Sequence, residues 1–86
     1  MLLQYADFLA VTSENLRVMR RLSGLTQEDV AEALLLSRSA YAGTEQGRTC
    51  VGFYNAYLLS HLYNVPMELF TKEKQDAKII LRILSL

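Results

Sequence analysis

The sequence holds one cysteine, one proline and four glycines, and its nine basic residues are matched by nine acidic ones, so the formal net charge is zero. Each scarcity excludes something. A lone cysteine, Cys50, cannot close a disulfide within the chain, and with no leader-like start the expected location is cytoplasmic. Sparse glycine and proline in a chain that is 51% apolar suit a compact all-α protein. At 86 residues there is room for one small core. No stretch is long or uniformly apolar enough to span a bilayer, and no membrane partner is expected. Met1 to Val11 is broken by Gln4, Tyr5 and Asp7, and it is assigned as an arm or helix over residues 1–12, packed on the domain. Enzyme signatures are missing as well: there is no glycine-rich phosphate loop, no Cys-x-x-Cys and no His-Glu-x-x-His. With His61 as the single histidine, neither a histidine metal cluster nor a paired acid–base site is available, and no catalysis, metal or cofactor is expected.

What is present centres on Thr26 to Gly47. Thr26 is a cap residue followed by Glu28 and Asp29, whose charge suits the first turn of a helix, and Val30, Ala31 and Leu34 then fall on one face. Ser37 offers a second cap only about three residues after that helix ends, the spacing of a helix-turn-helix. On the second of the two helices Tyr41 and Thr44 are expected to point inward, leaving Arg38, Ser39, Ala42, Gly43 and Gln46 outward. A short polar face of this kind can enter a major groove.

The flanks follow the same rules. Thr12-Ser13-Glu14 supplies caps for a first helix ending near Ser23, with Leu16, Met19 and Leu22 inward and Gly24 as its stop. Arg48 to Gly52 is a loop, and a fourth helix runs from about Phe53 to Tyr63 on a stripe of Phe53, Ala56, Leu59, Leu62 and Tyr63, stopped by Asn64. Pro66 suits the first turn of a short fifth helix, Met67 to Phe70. Residues 71–86 form a C-terminal amphipathic helix with Ile79, Ile80, Ile83 and Leu84 at helical spacing. A helix of that length needs cover for its apolar face, from its own domain or from a second copy, and the homodimer is the preferred reading.

Asn15-Leu16-Arg17 with Arg20, Leu25-Thr26-Gln27-Glu28, Val30-Ala31, Leu36-Ser37, Glu45-Gln46-Gly47 and Leu62 to Phe70 occur in order and at set spacing. In these features the chain resembles the Cro and lambda repressor-like helix-turn-helix regulators of bacteria and phages, also called the xenobiotic-response-element family. The resemblance covers Asn15 to Phe70 and implies a five-helix bundle over residues 13–70, here extended by the C-terminal helix. It implies double-stranded DNA as partner, regulation of transcription, and an ion pair between Arg20 and Glu45. It also implies that Gln27, Arg38, Ser39, Gly43 and Gln46 approach the nucleic acid. Arg38 is the candidate for reading guanine and Gln27 for a phosphate; Ala42 can touch a thymine methyl, and Gln46, Arg48 and Thr49 stand where backbone contacts are made. Two residues depart from the pattern: Leu35 stands where the family usually has a turn glycine, and Gly43 where a long side chain is common. These two departures, with the zero net charge, keep open a protein-interaction module with weakened DNA binding. An antitoxin whose tail binds a toxin is the third reading. The expected mode is repression by a homodimer on a palindromic operator.

Overall fold

The hydroxyls of Thr12 and Ser13, expected to cap a helix, lie in the middle of one. In the computed structural model, which describes residues 3–71, helix α1 runs without a break from Tyr5 to Leu22. Thr12 donates to the carbonyl of Phe8 and Ser13 to that of Ala10 at 3.1 Å, so both hydroxyls are satisfied one turn back and the helix continues through them. The expected division between residues 12 and 13 therefore falls inside α1. Asn15 then anchors the helix, donating from Nδ2 to the carbonyl of Phe70 at 2.8 Å.

Helix α2 spans Gln27–Ala33 and α3 spans Arg38–Glu45. Their starts are local chemistry. Thr26 Oγ1 accepts from the Asp29 backbone N–H at 3.1 Å while the Asp29 carboxylate accepts from the Thr26 N–H at 2.8 Å, a reciprocal cap that also holds the Asp29 carboxyl below its ordinary range. Ser37 caps α3 through Ala40 N–H at 3.1 Å, as expected. Helix α4 spans Phe53–Tyr63, and the expected fifth helix is a 3-10 turn over Met67–Thr71, pinned by Leu69 N–H to the Pro66 carbonyl at 3.0 Å. The described residues are all-helical, with no strand.

The core gathers one face of each element: Leu16 and Met19 from α1, Val30, Ala31 and Leu34 from α2, Tyr41 from α3, Leu59 and Tyr63 from α4, then Val65, Leu69 and Phe70. The stripe expected on α4 is only partly right. Leu59 and Tyr63 are buried, but Phe53 is 83% exposed and Leu62 41%. Apolar side chains lie on several sides of this helix, so its sequence fixes no phase; contact with the closing 3-10 turn selects the buried side. The dimerisation residues Ile79, Ile80, Ile83 and Leu84 lie outside the described residues.

Candidate nucleic-acid interface

A recognition helix must be held rigidly by its inner side so that its outer side can be offered to a ligand. Glu45, in the last turn of α3, is 1% exposed and accepts from Arg20 twice, at 2.7 Å from Nε and 3.1 Å from Nη2. The expected pair between the first and third helices is thus present. Gln27 joins it, its amide donating to Glu45 Oε1 at 3.1 Å, so the side chain expected at a phosphate is engaged inside the protein. Arg20 also donates to the Leu25 carbonyl at 3.0 Å, and Arg17 donates to the Glu45 carbonyl. One carboxylate therefore ties the start of α2 and the end of α3 to α1.

The electrostatics follow from this packing. Burial disfavours the Glu45 charge, but the hydrogen bonds from Arg20 and Gln27, with the Tyr41 hydroxyl close by, outweigh it and hold the carboxyl below its ordinary value. The Arg20 guanidinium is held above its own by the bond to Glu45, against burial. The Tyr41 and Tyr63 hydroxyls end in the same region, buried and without a hydrogen bond of normal geometry. Burial and the nearby carboxylate push both phenols up, Tyr63 to about 12.

On the other side of α3, Arg38, Ser39 and Gln46 are exposed, and Ala42 is half-buried. Arg38 borders an open polar cleft shared with Arg20, Thr26, Gln27 and Glu28. Its guanidinium has no ion pair or hydrogen bond with the described residues. Arg48 and Thr49 are exposed in the loop after α3, where Thr49 Oγ1 lies 3.3 Å from Thr44 Oγ1.

Gly43 is where the structure departs most from the helical projection. It was expected outward, yet it is buried. A Cβ placed on it would lie 3.8 Å from both Nε and Nη2 of Arg48, so the arginine folds back over the position where a side chain would emerge. The remaining notable side chains are peripheral. His61 is exposed on α4 with its ring 4.6 Å from that of Tyr57, and Cys50 is exposed with its thiol toward the Val51 carbonyl.

Two helices joined by a tight turn, the second capped by a serine, fixed from behind and bare in front, define a helix-turn-helix DNA-binding domain. Residues 16–70 match the sequence model of the helix-turn-helix family, and the chain belongs to that family, among the Cro and lambda repressor-like regulators. No curated protein and no solved structure matches the chain. It is a DNA-binding transcriptional regulator, of a family whose members act by binding. No described helix is long and apolar enough to cross a membrane.

Proposed function

We propose that the protein is a repressor that binds a palindromic operator as a homodimer, laying α3 of each protomer in the major groove and occluding a promoter. The observation that carries this reading is the state of Arg38. It stands at the first turn of a capped helix, exposed and without an ion pair or hydrogen bond to the described residues, while the far end of that helix is locked by Glu45. A planar guanidinium so placed can bond both acceptors of a guanine edge. Ser39 and Ala42 lie beside it for a further base or a thymine methyl, and Gln46 and Thr49 are near enough to the helix end to take the DNA backbone.

One α3 of eight residues offers a small contact, and the chain carries no net charge to add non-specific affinity. Two copies bring the binding into a useful range, with recognition helices about 34–36 Å apart, one turn of DNA. Selection of bound duplexes from a random pool tests this, and the expected product is an inverted repeat with that half-site spacing. Arg38→Ala should weaken binding to the selected site by about 5- to 150-fold, the loss of one bidentate base contact. Undiminished binding would remove Arg38 from the interface. The rival reading, a protein-interaction module, draws on the 93% exposed Leu35 in the turn before α3. Retention on random duplex at low salt separates the two, because a module without DNA affinity shows no salt-dependent retention.

A further inference from the structure

Ser39, Gly43 and Gln46 are spaced four and three residues apart, so they share one side of α3. Ser39 and Gln46 are exposed, and Gly43 between them is buried. The covering atoms come from five and six residues further along the chain. A Cβ on Gly43 would sit 3.8 Å from Nε and Nη2 of Arg48 and 3.9 Å from Oγ1 of Thr49. The Arg48 guanidinium therefore lies across the helix in the space that a larger residue at position 43 would fill.

Two backbone and side-chain contacts hold it there. The Arg48 N–H donates to the Gly43 carbonyl at 2.9 Å, the bond that closes the end of α3, and the Thr44 and Thr49 hydroxyls meet at 3.3 Å beside it. The guanidinium itself makes no ion pair or hydrogen bond with the described residues, so its donors are uncommitted. This loop cation rests on the surface of the recognition helix, in the row of Ser39 and Gln46.

We propose that Arg48 reads a base: it supplies from the loop the long side chain that Gly43 lacks, and recognises the O6 and N7 acceptors of a guanine in the major groove, separately from Arg38. The inference rests on the DNA-binding reading above and adds a second specificity residue to it. Arginine suits the task because its planar fork makes two parallel bonds to that edge, which the single ammonium of lysine does not reproduce. Gly43 then has a stated purpose, keeping the slot open.

The test uses the full chain and a random duplex pool, comparing wild type with Arg48→Ala, Arg48→Lys, Gly43→Ala and Gly43→Met. Wild type is expected to select a guanine, at one position of each half-site, that Arg48→Ala no longer selects, with binding to the wild-type site weaker by about 5- to 150-fold. Arg48→Lys keeps the charge and loses the same preference. Gly43→Ala keeps it, since its methyl meets Arg48 at ordinary contact distance, whereas Gly43→Met fills the slot and loses it. If Gly43→Met does not fold, the two Arg48 variants decide alone, because that side chain is exposed and bonded to nothing described. A wild-type site that Arg48→Ala still selects at every position, with affinity lowered evenly across sequences, makes Arg48 a phosphate contact and overturns the proposal while leaving the regulator intact. A wild type that selects nothing overturns both.

Discussion

Glu45 is the residue on which the presentation of α3 depends. Its two oxygens take Arg20 and Gln27, so its removal would leave a mostly buried guanidinium without its counter-charge. Glu45→Ala is expected to destabilise the fold by about 3–5 kcal/mol, a large part of what a small domain has. At the sensitivity of a domain this size, melting should fall by roughly 12 °C or more, and an unchanged melting temperature would refute the burial argument. Glu45→Gln, which retains an acceptor for Arg20, should lose less. By contrast Glu14 is exposed, and breaking its pair with Arg17 by Glu14→Ala should be nearly silent. At this scale the Arg20–Glu45 pair was legible from the resemblance, whereas the use of Gln27 was not. A glutamine opening a helix reads as exposed, and since Glu45 Oε1 already accepts from Arg20, nothing local calls for the further donor that Gln27 supplies. The helical projection turns Gly43 outward in the row of Ser39 and Gln46, but it cannot show that a residue five positions later folds over it and buries it.

The four α-helices of the described residues end in one way. At Gly24, Leu35, Gly47 and Asn64 the backbone turns left-handed, with φ of 73°, 56°, 75° and 56°. In each case the next residue donates back across the turn: Leu25 to Arg20, Leu36 to Ala31, Arg48 to Gly43 and Val65 to Ser60. Gly47 is needed for its φ, and it lies where α3 meets α1, since a Cβ there would touch Ser13 Oγ at 3.4 Å. Leu35 is the exception, a leucine held in a conformation that costs about 1–2 kcal/mol, with its side chain in solvent and nothing packed to offset the strain. Leu35→Gly should therefore raise stability by about 0.5–1 kcal/mol after the added flexibility of the unfolded chain is counted. Leu35→Asn, imitating Asn64, should recover part of that gain. Calorimetric melting of the three proteins checks the order, and a leucine protein that melts highest would show that the turn is not strained. Stops and caps were readable because they are local: Thr26, Ser37, Gly24 and Asn64 act within a turn of where they stand. Thr12 and Ser13 misled for the same reason, since a hydroxyl makes similar short bonds inside a helix and in front of one.

For the molecule as a whole, the buried polar cluster sets the range of pH over which the helix-turn-helix stays assembled. Four groups from three helices, Arg20, Tyr41, Glu45 and Tyr63, meet there, and the carboxyl is shifted down while the two phenols are shifted up. Glu45 has a lower pKa folded than unfolded, so its contribution is complete above the ordinary value of 4.5 and is lost as pH falls through the depressed one. Tyr63 has a higher pKa folded than unfolded, as does Tyr41, for burial opposes the phenolate and the carboxylate repels it. Their contribution is complete below the ordinary value of 10.0 and is lost as pH rises toward about 12 for Tyr63. Denaturant unfolding across pH should thus give a plateau from about pH 5 to 10 with a decline on each side. Replacement tells the two limbs apart: Glu45→Gln should flatten the acid limb and leave the alkaline one, while Tyr63→Phe should soften the alkaline limb alone. An acid limb unchanged in Glu45→Gln would mean that some other carboxylate governs it, and that the cluster does not hold α3 in place through its charge.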